Sequence, residues 1–283
     1  MTAHPALDHD WLGACRAAAE GLQAVLRAHP TSIERVVETG ETGGGGDKTL
    51  VIDAEAEDRV FDELQRLHDA GARFTVISEE RGIVDLGSPE ILVVVDPIDG
   101  SLNAKRGLPH HALSVAVATG ATMADVVFGF VYDLGPGEEW RAAIGEGAYL
   151  NDRRIDAPPP ERRTPDGRLE LIAVESADPR WLAKASDDLV AATRRIRAMG
   201  SIAVSMCQVA ATRVDAMASL ARTRAVDAAA AQLIVRESGG EVAFLGAPDG
   251  PLSAPLDLQP HHPVVAARTP ESLADLQQLP AVC

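Results

Sequence analysis

Residues 93–103 read Val-Val-Val-Asp-Pro-Ile-Asp-Gly-Ser-Leu-Asn, and this segment carries the densest chemistry in the chain. An apolar strand delivers Asp96 to its end, and Pro97 fixes its own φ while holding Asp96 extended. The turn that follows brings Asp99 back beside Asp96, and Gly100 lets the backbone approach a ligand closely. Two carboxylates so placed repel each other unless a cation lies between them. Magnesium suits such a site, because it takes oxygen ligands at about 2.0–2.1 Å and keeps several waters. A helix beginning near Ser101 would add free N–H groups and a positive dipole end for a phosphate. The same residue types also make a plain β-turn, since Asp, Pro and Gly are all turn formers.

Three companions bear on that choice. Glu79-Glu80 ends another apolar strand, and Asp53 and Asp227 each stand at a predicted helix start. Taken singly, each of these two aspartates reads as an N-cap and the Glu pair as a solvated edge. Taken together with Asp96 and Asp99, they are a set of hard oxygen donors drawn from distant stretches of chain.

The elements that must position these residues follow from periodicity. Residues 8–28 form an amphipathic helix, and a second spans about 54–70 with Val60, Leu64 and Leu67 on one face. Strands are expected at 73–80, 91–96, 112–119 and 124–133. Gly and Pro clusters over 134–170, including Ala157-Pro158-Pro159-Pro160, suggest surface connections. The second half opens with a strand at 170–175, a helix near 179–193 and a basic strand at 194–200. A helix from about 201 to 213 and another over 227–238 follow, the latter stopped by Gly239-Gly240. Two further strands at 241–245 and 263–268 and a closing helix at 270–279 complete the pattern. Mixed strands and helices in both halves indicate α/β or α+β layers, divided into lobes 1–155 and 156–283, with most of the acidic donors in the first and Asp227 in the second.

Composition narrows the function. At 283 residues with 46% hydrophobic and only 4% aromatic content, the chain can bury a large core that must be aliphatic. A net charge of −16 argues against a nucleic-acid partner, which needs clustered Lys and Arg. It also sets a problem for a phosphate substrate, which a bound cation would solve locally. No apolar run suggests a membrane span and the N-terminus lacks signal-peptide features, so a cytoplasmic location is expected. Cys15, Cys207 and Cys283 form neither a disulfide framework nor a zinc spacing. Gly43 to Thr49 is not a nucleotide-binding loop, because Asp47 breaks the required spacing. The adjacent pairs His110-His111 and His261-His262 make poor joint ligands, because neighbours on a strand point to opposite sides.

Asp96-Pro97-Ile98-Asp99-Gly100-Ser101 with Asn103 resembles the signature of the inositol monophosphatase family. Ile77-Ser78-Glu79-Glu80 is similar to that family's strand-ending Glu pair, and Asp227-Ala228-Ala229-Ala230 with Glu237-Ser238-Gly239-Gly240 to its C-terminal motif. Order and spacing agree over roughly residues 45–245. The resemblance implies a layered α-β-α-β-α sandwich of the sugar phosphatase type, usually a homodimer. It implies metal ligation by Glu79, Asp96, the Ile98 carbonyl, Asp99 and Asp227, with Glu80 supporting them, and two or three Mg2+ per site, Mn2+ being a possible substitute. Asp53 and the Ser101 hydroxyl would prepare the attacking water, with Glu79 among the catalytic groups. Gly100, Ser101, Gly200, Ser201, Ile202 and Arg224 would meet the substrate, and Arg222 stands nearby. The Gly46–Lys48 loop resembles one that closes over the site. Lithium inhibition also follows from the resemblance. The chain departs from the animal-type enzymes at Asp215-Ala216-Met217-Ala218-Ser219 and Val226, and its Arg-rich spacing and Ser78-Glu79-Glu80 look more like the archaeal and bacterial dual-specificity branch. The implied activity is hydrolysis of an inositol, fructose or related phosphate monoester. The alternatives are a 3′(2′),5′-bisphosphate nucleotidase and a metal- or phospho-ligand-binding relative without turnover.

Overall fold

The computed structural model of the chain describes residues 8–42, 48–156, 159–277 and 279. The glycine-rich run Gly43–Asp47, the Lys48 side chain, Ala157-Pro158 and Cys283 lie outside the described residues.

The first helix, α1 (Trp11–Ala28), starts where the Asp10 carboxylate accepts from Gly13 N at 2.8 Å. Its buried residues Trp11, Cys15, Ala18, Leu22 and Val25 recur every three or four positions, giving one apolar stripe. A short helix α2 (Ser32–Arg35) and a two-stranded ribbon, β1 (Glu38–Thr42) and β2 (Lys48–Leu50), lead into α3 (Val51–Asp69). The stripe of α3 runs through Ile52, Ala56, Val60, Leu64 and Leu67. These two stripes pack on one face of a seven-stranded sheet, with Phe74, Val93, Val95, Leu113, Val115 and Phe130 filling the space between.

That sheet has the order β3 (Phe74–Ser78), β4 (Gly82–Asp99), β5 (Ala112–Ala118), β6 (Val126–Asp133), β7 (Glu138–Ala143), β8 (Gly147–Leu150) and β9 (Arg153–Arg154). Strand β4 embraces β3. Its first part runs back along β3, from Ser78 opposite Gly82 to Phe74 opposite Leu86. Its second part runs alongside in the same direction, from Thr75 opposite Leu92 to Ser78 opposite Val95. The ends of β3 and β4 therefore lie side by side, which brings Glu79-Glu80 next to Asp96. A six-residue helix, α4 (Ser101–Arg106), follows β4 at once.

The second sheet has the order β11 (Ile196–Arg197), β10 (Ile172–Glu175), β12 (Ala216–Ser219), β14 (Val264–Ala267) and β13 (Glu241–Phe244). Helices α7 (Ile202–Ala210) and α8 (Ala225–Glu237) lie between the sheets, in a core that joins Val94, Ala116, Val131 and Trp140 of the first sheet to Ala173, Met217 and Ala266 of the second. The outer face of the second sheet is covered by α5 (Pro179–Lys184), α6 (Ser186–Ala192) and α9 (Pro270–Leu276) around Leu169, Ile172, Val174 and Val265. The layers run α-β-α-β-α, as expected.

Three local expectations need correction. The span 134–170 is not merely connection: β7 and β8 form a hairpin that buries Trp140, Ala142 and Ala148. Its alternation is short and its turn glycines dominate the sequence signal. The helix expected near 179–193 is two helices that meet at the fully buried Ala185, which caps α5 and precedes α6. The basic strand at 194–200 shrinks to the two residues of β11 at a sheet edge, where exposed charged side chains blunt further pairing. Strand β12, lying between β10 and β14, is too short and Ala-rich to show an alternating pattern.

Candidate active site

Strand and helix ends converge at one place. Strand β3 delivers Glu79-Glu80, and the end of β4 delivers Asp96 and Asp99. The first turns of α3, α4 and α8 deliver Asp53, Ser101 and Asp227. A cavity of about 270 Å³ is lined by Asp53, Glu79, Glu80, Asp96, Pro97, Ile98, Ser101 and Lys105.

Asp96, Asp99 and Asp227 are all buried, and each places a carboxylate oxygen within 4.8 Å of the others. Burial raises the pKa of Asp96 well above the usual carboxylate range, and Glu79, Asp99 and Asp227 push it further the same way. Asp99 is pushed up to about 8 by burial and then by Asp227, against the pull of its hydrogen bonds from Ser201 and Ala203. Asp227 is raised by burial, with Arg224 opposing and Glu79 reinforcing. Burial opposes the charge on Arg224, but Asp227, Glu79 and Asp96 together keep its guanidinium firmly protonated. It binds Glu79 Oε1 at 2.7 Å and Asp227 Oδ1 at 3.2 Å. One guanidinium among four carboxylates leaves the cluster short of positive charge.

A divalent cation fits that deficit. The donors are hard oxygens, the protonated forms favoured without a cation are the forms a cation displaces, and Asp53 Oδ1 is buried with no hydrogen-bond partner. Burial raises the pKa of Asp53 while Lys105, 3.6 Å from its Oδ2, holds it down.

Neighbouring residues fix the frame. Asp99 Oδ2 accepts from Ser201 Oγ at 2.6 Å and from Ala203 N at 2.7 Å, tying the end of β4 to the start of α7. Asp96 Oδ1 accepts from Ile98 N at 2.9 Å, which closes the Asp-Pro turn. Gly100 sits at φ 85, and a Cβ there would meet Gly200 O at 2.8 Å and His110 O at 2.9 Å. Asn103 donates to His110 O at 2.9 Å and to Met199 O at 2.6 Å, binding α4 to the turn before α7.

The structure brings Asp53, Glu79, Glu80, Asp96, Ile98 and Ser101 to one cavity and sets Asp99 and Asp227 beside Asp96. Glu79 stands apart from the tight triad, drawn to Arg224. Of the residues expected to meet substrate, Arg224 bridges two carboxylates, and Ser201 is buried with its hydroxyl given to Asp99 and accepting from Val204 N at 3.1 Å. Gly200 donates its N–H to Glu175 Oε2 at 2.9 Å, and Ile202 is half-buried. Arg222 is exposed.

Three residues were missed. Glu175 is buried and accepts from Met199 N, Gly200 N and Ser205 Oγ, so it holds the turn before α7 in place. Glu57, also buried, accepts from Ser78 Oγ and from Arg81 N, fixing the chain on both sides of Glu79-Glu80. Nothing local marks either one. Lys105 had a signal, since it lies four residues after Ser101 and so shares its helix face.

The model of the inositol monophosphatase family matches residues 8–279. The chain is 34% identical over 211 residues to the fructose-1,6-bisphosphatase/inositol-1-monophosphatase of Methanothermobacter thermautotrophicus, covering 71% of this chain and 72% of that one. It is 33% identical over 195 residues to the Nus factor SuhB of Pasteurella multocida, covering 68% and 69%. A crystal structure of an inositol monophosphatase-fructose 1,6 bisphosphatase superposes with a TM-score of 0.78 at 25% identity, over 95% of this chain and 99% of the other. Motif, fold and sequence likeness agree, and the chain belongs to the inositol monophosphatase family.

Proposed function

We propose that the chain is a magnesium-dependent phosphatase that releases phosphate from a small sugar or cyclitol monoester, with water as the direct nucleophile. The observation that carries this reading is the triad Asp96, Asp99 and Asp227, buried within 4.8 Å of one another beside a polar cavity. Glu79, Asp96, the Ile98 carbonyl, Asp99 and Asp227 would hold two or three Mg2+, with Mn2+ as a substitute and Glu80 in support. Such cations, when bound, lower the pKa of water and neutralise phosphoryl oxygens.

The chain's own groups do the rest. Asp53 accepts the proton of the attacking water at its unpartnered oxygen, with the Ser101 hydroxyl as relay and Glu79 assisting. No His lies beside Ser101 in the motif to activate it as a nucleophile, which favours water. Gly100, Ser101, the 200–202 turn and Arg224 would meet the substrate. Because the Ser201 hydroxyl is committed to Asp99, contacts from that turn fall to its backbone and to Ile202. The reading extends to two lobes, 1–155 and 156–283, a homodimer, a cytoplasmic location without nucleic-acid or membrane partners, and inhibition by lithium. Among the described residues no helix is long and apolar enough to cross a membrane.

The test is a phosphate-release screen with and without Mg2+. The panel holds inositol 1-phosphate, fructose 1,6-bisphosphate and adenosine 3′,5′-bisphosphate. Metal-dependent release from the first two supports the reading, and release from the nucleotide alone points to the nucleotidase alternative. The likeness to a protein named for a Nus factor rather than a phosphatase keeps a second reading, a metal- or phospho-ligand-binding relative without turnover. Absence of release from every ester would favour that one.

A further inference from the structure

Lys105 is the single cationic side chain that lines the cavity among the described residues, where Asp53, Glu79, Glu80 and Asp96 supply four carboxylates. It lies one turn after Ser101 on α4, so both side chains face the same opening. Its ammonium stands 3.6 Å from Asp53 Oδ2, and its side chain is 23% exposed. The other oxygen of the same carboxylate, Asp53 Oδ1, is buried without a partner. The two oxygens of Asp53 are thus distinguished: one is engaged by a cation and the other is buried with no protein partner.

Resting on the phosphatase reading above, we propose that Lys105 is a positioning residue for the reaction, holding Asp53 by Oδ2 so that Oδ1 faces the attacking water. A carboxylate free to rotate about its last bond would present either oxygen at random. The ion pair, together with the hydrogen bond that the carboxylate accepts from the Leu50 backbone N–H, removes that freedom, since Asp53 sits on the first turn of α3 and Lys105 on the short helix that carries Ser101. Aligning a proton acceptor with its water is the kind of orientation in which a displacement of about 1 Å costs on the order of a hundredfold in rate. The pair also couples α3 to α4, so the acceptor and the Ser101 relay keep a fixed separation.

The experiment uses steady-state phosphate release by the full chain, with variants Lys105→Met, Lys105→Arg and Asp53→Asn and the Asp53→Asn/Lys105→Met double variant. Expected is a fall in kcat of about 10- to 100-fold for Lys105→Met, with KM changed less than about twofold, and substantial recovery in Lys105→Arg. Because Lys105 acts through Asp53, adding Lys105→Met to Asp53→Asn lowers kcat no further. Thermal melting of Lys105→Met with and without Mg2+ should match the parent, which separates positioning from folding or metal binding. A rise in KM at constant kcat would assign Lys105 to gripping substrate and overturn the proposal. So would additive losses in the double variant, or a Lys105→Met enzyme with parental kcat. A parent chain that releases no phosphate from any ester would instead refute the phosphatase reading on which the proposal stands.

Discussion

Removing metal should make the stability of this protein fall as pH rises through neutrality. Asp99 is pushed up to about 8 by burial and the neighbouring Asp227, whereas an unfolded aspartate titrates near 3.9. Between those values the folded chain holds a proton that the unfolded chain has lost. Unfolding therefore releases a proton, and Asp99 alone costs the folded state at most about 1.4 kcal/mol per pH unit, falling to about 1 kcal/mol between pH 7 and 8. For a chain of 283 residues this lowers the melting midpoint by roughly 2 °C per unit. Asp96 and Asp227 are raised as well and steepen the fall. His111, pushed down by burial, works in the opposite sense, but only at pH values up to about its unfolded pKa of 6.5. The window is consequently pH 7 to 8. At pH 7 Asp99 is mostly protonated, so saturation with Mg2+ should expel protons from the site. Melting in a chelator across pH 7 to 8, paired with calorimetric Mg2+ titrations in two buffers of different ionisation enthalpy, reads both quantities. A chelated protein whose midpoint is flat or climbs with pH, or heats of binding that ignore the buffer, would refute the reasoning.

Other consequences are smaller in scope. Ser201→Ala removes both the cap of α7 and a hydrogen bond to Asp99, and should cost about 1–3 kcal/mol in urea unfolding, with weaker Mg2+ binding by calorimetry. Gly100→Ala forces a Cβ against two backbone carbonyls at positive φ and should abolish Mg2+-dependent phosphate release. At the other end of the same helix, Gly107 has φ 69 but open space around it, so Gly107→Ala should cost only about 1 kcal/mol of stability and keep most of the activity. Asp53→Asn should lower kcat by about 100-fold or more while leaving the Mg2+-induced rise in melting temperature intact.

The parts of the site that sequence revealed are those whose chemistry is local. Asp96 and Asp99 share one turn, and the geometry of Pro97 and Gly100 is written into adjacent positions, so their convergence needed no tertiary knowledge. Asp53 and Asp227 were legible as helix starts, and the family likeness supplied the partnership among them. Glu57 and Glu175 were not legible, because a buried carboxylate that organises backbone N–H groups from another segment has no characteristic neighbours. Lys105 became meaningful only when α4 was seen to lie against the start of α3. Mixed α/β layers were readable from long apolar runs such as 91–95 and 112–118, which form inner strands of the first sheet, and the order of the layers came from the family likeness. The hairpin 138–150 escaped because its strands are short and amphipathic, and the partner that buries Trp140 lies in the second half of the chain.

The central claim is that a divalent cation belongs among buried acidic side chains drawn from β4 and α8. A crystal soaked in Mn2+ and measured near the manganese absorption edge tests it most directly. The account predicts an anomalous difference peak at coordination distance, about 2–2.3 Å, from carboxylate oxygens of Asp96, Asp99 and Asp227, and loss of that peak in Asp96→Asn. Full soaking with no anomalous density between these carboxylates would contradict it.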